Sequence, residues 1–153
     1  MTGSAIRALS NSLMGSTNWT EQDFTPEELT QLRRAYQNSQ RRLQTRGGVG
    51  GLQYGDYPDP TSYSQTSLLE LPKKLLSTGY NVTNTLGRAQ YFTSPEGNVI
   101  IQDTYDFNPN ATPKGNDILS IVRRNFIEPN AKPFNMNINI GNPNNWTAKD
   151  LGL

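Results

Sequence analysis

The stretch from Leu86 to Phe107, LGRAQYFTSPEGNVIIQDTYDF, decides the fold. Its two runs of aromatic and β-branched residues, over about 86–92 and 99–107, predict two β-strands. Between the runs, Pro95 fixes its own φ and Gly97 can adopt a positive φ without strain, which predicts a turn. We therefore expect a β-hairpin around which the rest of the chain is arranged.

The second predicted strand ends in Asp103-Thr104-Tyr105-Asp106, a cluster of two acids and a phenol. In a strand Asp103 and Tyr105 share one face, and Asp106 points the other way. Two carboxylates beside a tyrosine could bind Mg²⁺ and polarise a phosphoryl oxygen. They could equally hold the end of the hairpin closed through hydrogen bonds. The structural role is the one that we expect.

Composition restricts the class of protein. The chain has 153 residues, which fits one domain, and its apolar content of 33% and mean hydropathy of −0.69 indicate a small core with long irregular segments. A net charge of +1 argues against action through overall charge on nucleic acid or on a membrane. The sequence has no His and no Cys, which excludes serine–histidine triads and the usual zinc proteases. No apolar run has the length of a membrane span.

Residues 1–24 are expected to form an N-terminal arm. The apolar residues Ala5, Ile6, Leu9, Leu13 and Met14 have loose helical spacing, so the arm is either a short helix that docks on something or a frayed tail. Residues 25–47 carry a stronger signal: Thr25, Pro26 and Glu28 form a capping box that predicts a helix over about 26–46.

The predicted helix has one narrow apolar stripe, formed by Leu29, Leu32, Tyr36 and Leu43. Such a stripe predicts packing on another subunit or on the outside of the core. The three arginines near the end of the helix could grip phosphate or an acidic partner, but a solvated face that complements the helix dipole is the expected role of Arg41, Arg42 and Arg46.

Three further segments complete the chain. Residues 48–66 are expected to be an extended strap rich in Gly, Pro and Tyr, with a flexible linker as the alternative. Residues 67–140 are expected to form a compact core containing the hairpin, a leucine-rich helix over about 67–77, a helix over about 117–127 and a third strand over 134–140. Residues 141–153 are expected to form a polar tail. The predicted fold is α+β: a small twisted antiparallel sheet with two or three helices and long extended arms.

The segment Asp103-Thr104-Tyr105-Asp106, continued by Asn108-Pro109, resembles the active-site strand of colicin M-type bacteriocins. That family cuts the diphosphate linkage of the lipid-linked peptidoglycan precursor with a divalent metal such as Mg²⁺. The resemblance covers about 86–126 and implies Asp103, Tyr105 and Asp106 as catalytic candidates, with Asp103 and Asp106 as metal ligands. Arg123 or Arg124 could replace the family's arginine, which makes Arg123 the fourth candidate if the chain is an enzyme. The family's His-Arg pair would fall at Thr112 and Pro113, and this chain has no histidine to replace the missing one. The resemblance therefore implies a related fold without the catalysis.

Two functions follow as expectations. The first is a non-enzymatic structural component of a virus particle, such as a tailed bacteriophage, that binds neighbouring subunits through its arms without a cofactor. The second is a colicin M-like toxin that acts with Mg²⁺ in a bacterial periplasm. Under the first, we expect protein subunits as partners, neither membrane nor nucleic acid, and location in the virion. Partner contacts are expected from the apolar and aromatic residues Trp19, Phe24, Leu29, Leu32, Tyr36, Tyr54, Tyr57, Tyr63 and Trp146.

Overall fold

The computed structural model describes residues 3–62, 65–67, 69–106 and 130–153. Within these ranges the chain forms four α-helices and one four-stranded sheet. The helices are α1 Ser4–Met14, α2 Pro26–Thr45, α3 Leu71–Lys74 and α4 Thr78–Leu86. The strands are β1 Trp19–Thr20, β2 Gln90–Thr93, β3 Val99–Tyr105 and β4 Phe134–Gly141. The predicted α+β class is confirmed.

The central hairpin and the third strand form as predicted. Strands β2 and β3 pair antiparallel, and the turn between them contains Gly97 with a φ of +87°. The N–H of Gly97 donates to the carbonyl of Ser94 over 2.9 Å. Strand β4 pairs antiparallel with β3, which places Ile138 beside Ile101. The strict alternation of apolar residues in 134–140 predicted a strand, which is confirmed, and the structure shows that this strand pairs within the chain.

The sheet is mixed, which corrects the prediction of an antiparallel sheet. Its order is β1-β4-β3-β2, and β1 lies parallel to β4 with Trp19 opposite Met136. The indole of Trp19 contacts the rings of Phe24 and Phe134 at centroid distances of 5.5 and 5.3 Å. Burial of these large rings favours placing residues 19–20 beside β4, because exposed aromatic surface is costly in water.

Residues 1–24 are not an extended arm. Helix α1 packs against α4, and the Ala5 N–H donates to Oδ1 of Asn81 over 3.1 Å. At the other end of α1, the Ser12 hydroxyl donates to the carbonyl of Lys132 over 2.6 Å. The short docking helix was thus the correct alternative, and its partner is the chain's own core.

Helix α2 has the predicted capping box but a different role. Thr25 accepts from the N–H of Glu28, and the Glu28 carboxylate accepts from the N–H of Thr25. Leu32 and Ala35 are fully buried in the hydrophobic core, so the prediction of a helix outside the core is wrong. The buried positions Glu28, Leu32, Ala35 and Ser39 recur at helical spacing. The small side chains among them let α4 and the sheet approach closely, and one narrow stripe is then enough to place the helix in the core.

The segment 48–66 is held against the body of the protein over its described residues. Leu52 exchanges two backbone hydrogen bonds with Ala89, at 2.8 and 3.2 Å. The Arg42 guanidinium donates to both carboxylate oxygens of buried Asp56 and to the carbonyls of Val49 and Gly51. Arg42 therefore binds an internal acid, whereas the nearby Arg41 and Arg46 are exposed as predicted.

The helix predicted over 67–77 is replaced by two helices. Among the described residues of this range only the short α3 forms, and Leu69 and Leu76 are exposed. The core helix is α4, which begins beyond the predicted range and contains Gly79 in its first turn. A Cβ at Gly79 would lie 2.9 Å from Cβ of Asp59, so the absence of a side chain lets the strap approach α4.

The C-terminal residues 141–153 also pack on the chain. The Trp146 indole donates to the carbonyl of Ile140 over 2.9 Å, and its ring meets that of Tyr36 at 5.7 Å. Arg33 donates to the carbonyl of Asp150 over 3.2 Å. The predicted helix over 117–127 lies outside the described residues. Among the described helices, none combines the length and the apolar content that crossing a membrane requires.

Candidate functional site

The acidic cluster of β3 does not form a two-carboxylate site. Asp103 is half-buried on the core-facing side of the strand, and Asp106 is exposed just beyond the strand end. Tyr105, which shares the inner face with Asp103, is buried and stacked on Phe134 at 5.0 Å with an interplanar angle of 20°. Tyr105 is thus a core residue. Because side chains alternate between the two faces of a strand, Asp103 and Asp106 point to opposite sides.

Asp103 nevertheless has an unusual protonation equilibrium. Burial raises the pKa of Asp103 from its ordinary value of 3.8 to about 7, although a hydrogen bond from the Thr104 backbone acts in the opposite direction. Burial and, after it, the charge of Asp103 raise the pKa of Tyr57 well above its ordinary value. The Tyr57 hydroxyl donates to the carbonyl of Gly87 over 2.5 Å. The acid and the phenol are therefore neighbours: near pH 7 the phenol is neutral and the acid is about half protonated.

The described residues contain no group of three acidic, His or Cys side chains placed to hold a metal ion. A lone carboxyl that is half protonated near neutral pH is a poor Mg²⁺ ligand, because the ion prefers several ionised oxygen ligands. Arg123, Thr112 and Pro113, which the family resemblance implicates, lie outside the described residues.

Most residues predicted to bind partners face the protein's own core. Trp19, Phe24, Leu32 and Tyr57 are buried. Leu29, Tyr36 and Trp146 are partly buried and pack against the core. Tyr54 is 43% exposed, and Tyr63 lies outside the described residues. The assignment of Trp19, Phe24, Leu32 and Tyr57 to a partner surface is corrected, because a side chain buried within the chain offers no free area to a partner. For the remaining residues the assignment stays a prediction.

Helix α1 instead presents its large apolar side chains outward. Its buried positions are the small residues Ser4, Ala5, Ala8 and Ser12. Its larger side chains Ile6 and Leu13 are 38% and 39% exposed, Leu9 is half-buried and Met14 is 87% exposed. Ile6, Leu9 and Leu13, at spacings of three and four residues, form one stripe along the helix. We call these three residues the α1 stripe.

One residue of the α1 stripe, Ile6, lines an open groove of about 730 Å³. Its walls include Ile6, Leu75 and Leu76, of which Leu76 is 87% exposed. The groove also contains an ion pair in which Arg7 donates to Glu28 over 2.6 Å. The groove therefore combines apolar side chains with this ion pair and the exposed acid Glu27.

Glu28 connects two helices at the groove. Its carboxylate accepts from the N–H of Ser4 at 2.9 Å, from the N–H of Thr25 at 2.8 Å and from Arg7. Burial raises the pKa of Glu28, but the hydrogen bonds and the charge of Arg7 outweigh burial and hold the pKa below its ordinary value. Glu28 thus ties the start of α1 to the start of α2 as a charged group.

The outer face of the sheet carries mostly uncharged polar side chains, and its apolar residues are Phe92 and Ile100 in the row that ends at Asn139. Strand register places Asn137 beside Thr20 on one side and Gln102 on the other, with Gln90 beyond Gln102. A second row pairs Thr104 with Asn135. We call this surface the amide face, and its residues are Thr20, Gln90, Gln102, Thr104, Asn135, Asn137 and Asn139.

Sequence reasoning missed both surfaces for identifiable reasons. The spacing of Ile6, Leu9 and Leu13 predicted a docking helix, but it does not say which side of the helix docks within the chain. Alanine and serine at helical spacing on the opposite side, at Ala8 and Ser12, were the overlooked signal. The Asn face of β4 was visible as an alternation, although its partners on β3 depend on register.

The family resemblance has no independent support: comparison of the chain with protein-family models, with curated protein sequences and with solved structures finds no significant match.

Proposed function

We propose that this chain is a non-catalytic structural subunit that binds copies of itself in a multi-copy assembly, with a virus particle such as a tailed bacteriophage as its setting and location. The observation that carries the proposal is the orientation of α1, whose small side chains face the core while Ile6, Leu9 and Leu13 face outward. The proposed contact is the α1 stripe, in place of the extended arms.

The physical argument begins with side-chain size. A helix that serves only its own core gains most when its largest apolar side chains are buried, since burial contributes about 25 cal/mol per Å². Helix α1 buries Ala8 and Ser12 and leaves Leu13 and Met14 in contact with water. Burial against a second molecule would recover that free energy.

A second copy fits the α1 stripe by symmetry. When two α1 helices pack antiparallel about a two-fold axis, Ile6 of each copy meets Leu13 of the other, and the two Leu9 side chains meet near the axis. Most closed homo-oligomeric contacts are of this self-complementary kind. Because Leu9 lies near the middle of the stripe and a large apolar side chain lies at each end, two antiparallel copies of the stripe are complementary.

Charge also permits the contact. Arg7 is the one charged residue of α1, and it is already paired with Glu28. Bringing two copies together therefore places no unpaired like charges of α1 against each other. A stable interface covers about 800 Å² on each partner, so the groove walls Leu75 and Leu76 are included in the proposed contact.

The test uses the natural absence of cysteine. We expect the purified chain to self-associate in sedimentation experiments, and Leu13→Asp to shift it to monomer. Leu9→Cys should form a disulfide-linked dimer under mild oxidation. Val49→Asp and Val49→Cys are the matched controls, because Val49 is 68% exposed in the glycine-rich loop. A monomer at all concentrations, with equal cross-linking of Leu9→Cys and Val49→Cys, would overturn the proposal.

The toxin alternative stays a hypothesis that no geometric observation favours, since Asp103 and Asp106 are separated. We expect purified protein with Mg²⁺ to leave lipid-linked diphosphate precursor intact. Turnover that Asp103→Ala abolishes would establish the enzyme instead.

A further inference from the structure

We propose that the amide face of the sheet binds a neutral carbohydrate. This inference is independent of self-association, because the amide face and the α1 stripe share no residue.

The first step is the choice of residues. Asparagine is depleted in β-strands, where β-branched and aromatic residues are preferred. Strand β4 lies between β1 and β3 and nevertheless carries Asn135, Asn137 and Asn139 on its outer side. A face that served only to contact water would be formed more favourably by threonine. Asparagine adds an amide, which offers both donors and an acceptor to a ligand.

The second step is the regular spacing of the polar groups. One row crosses all four strands, through Thr20, Asn137, Gln102 and Gln90. Neighbouring strands lie about 4.8 Å apart, and same-face residues along a strand lie about 6.6 Å apart. The result is a regular array of hydrogen-bonding groups on the sheet, suited to a ligand with many hydroxyl groups.

The third step is the order of the side chains before any ligand binds. Nε2 of Gln102 donates to Oδ1 of Asn137 over 2.9 Å, and Oγ1 of Thr104 donates to Oδ1 of Asn135 over 3.0 Å. Each amide retains further hydrogen-bonding capacity beyond these contacts. Side chains that are already ordered lose less conformational entropy when they bind.

The fourth step is charge, which selects the ligand class. The described rows of the amide face contain no charged side chain, so the face lacks the cations that bind phosphate or nucleic acid. The nearby charges are of both signs: Arg88 and Asp106 lie beyond the strand ends, and the Glu21 carboxylate accepts from the N–H of Asn139. The apolar residues Phe92 and Ile100 lie in an end row of the face, whereas a typical protein interface has its apolar residues at the centre. A neutral polyhydroxylated ligand is the class that remains.

The fifth step is an apolar platform at one edge. Phe92 is 47% exposed and lies beside Ile100, whose other neighbour is Asn139. The C–H groups on one face of a sugar ring carry slight positive charge and pack on the negative face of an aromatic ring. Phe92 therefore supplies the apolar contact, and the amides supply hydrogen bonds to hydroxyl groups.

The experiment is a titration of the full chain followed by side-chain amide resonances in ¹H–¹⁵N spectra. The neutral probes are tetrasaccharides of glucose in α and β linkage and of N-acetylglucosamine, and a sulfated heparin tetrasaccharide is the charged control. We expect at least one neutral probe to shift the amide resonances of Gln102 and Asn137, and the heparin probe to leave them unchanged.

Variants locate the site. Phe92→Ala and Gln102→Ala should each weaken binding about fivefold to tenfold, as the loss of one contact or neutral hydrogen bond implies. Gln44→Ala, at an exposed position on α2, is the matched control and should bind normally. The proposal is overturned if all neutral probes leave the amide face unshifted, if the heparin probe binds more tightly, or if Gln102→Ala binds like Gln44→Ala.

Discussion

The half-buried position of Asp103 on β3 makes the stability of the protein depend on pH. Between its ordinary pKa of 3.8 and its folded pKa of about 7, the folded state keeps a proton that the unfolded state has released. Asp103 therefore makes the protein less stable as pH rises through this window, and the full penalty applies above about pH 7.

Asp103→Asn should remove this penalty. At pH 8 we expect the variant to be more stable by up to about 4 kcal/mol, which is about three pH units at roughly 1.4 kcal/mol each. The value is a ceiling, because the side chain keeps some contact with water. Urea unfolding at pH 4 and pH 8 measures the difference, which should vanish at pH 4. Asp106→Asn, at an exposed position, is the control, and an equal gain in that variant would refute the burial argument.

The effect of Glu28 on the pH dependence of stability has the opposite sign to that of Asp103, because the folded pKa of Glu28 is held below its ordinary value of 4.5. Its stabilisation is present above that ordinary pKa and is lost as pH falls through the folded pKa. We expect Glu28→Gln to lower the free energy of unfolding by about 1.5–3 kcal/mol at pH 7, since hydrogen bonds to a charged group are lost. The gap should narrow on acidification to pH 3. Glu27→Gln, one residue away and exposed, should change little at either pH.

At the scale of elements, α2 gives the clearest test. Leu32 is fully buried in the core, so Leu32→Ala should lower the free energy of unfolding by about 2–5 kcal/mol in the isolated chain. Chemical denaturation with a tryptophan fluorescence readout checks this value. The same substitution at Leu69, which is 95% exposed, serves as the control. If Leu32→Ala left stability unchanged and impaired assembly alone, α2 would be an outer helix after all.

The elements that the sequence predicted well are those whose signal is local. The capping box at Thr25 and Glu28, the turn at Gly97 and the alternation of β4 depend on neighbouring residues, and all three form. Helix α4 was missed because Gly79 and its threonines are weak helix formers. Its threonines are satisfied within the helix: Thr83 and Thr85 donate to carbonyls four residues earlier. Tertiary packing then overrides propensity.

At the scale of the whole molecule, α1 and the described residues of the strap contact the core of the same chain. These contacts predict that both segments are ordered without a partner, in contrast to arms that bind neighbouring subunits. Hydrogen exchange on dilute monomer should instead find protected amides in α1 and at Leu52, which bonds to Ala89. Val49, in the same loop and exposed, supplies the fast-exchanging reference. Rapid exchange throughout α1 would show that this segment becomes ordered only when a partner binds.

The candidate surfaces were less predictable than the fold because they depend on which side of an element is covered. Spacing identified the apolar residues of α1, but only the packing on α4 shows that Ala8 faces inward and Leu13 outward. The sequence was equally uninformative about what covers Trp19. Its large ring is costly to leave exposed to water, so its burial was expected. The sequence alone could not choose between burial by a neighbour and burial by Phe134, because the two residues are far apart in the chain.

The parallel pairing of β1 with β4 has a consequence for the order of folding. Trp19 lies opposite Met136, so this pair closes only after the chain through Met136 is available. During synthesis, Trp19 and Phe24 leave the ribosome before β4 has been made, so their rings cannot yet pack against that strand. Helix α2 can already form at this stage from local signals. Contacts between distant residues slow folding, and apolar surface that is exposed meanwhile favours aggregation. The nascent chain is therefore most vulnerable between the appearance of Trp19 and that of β4.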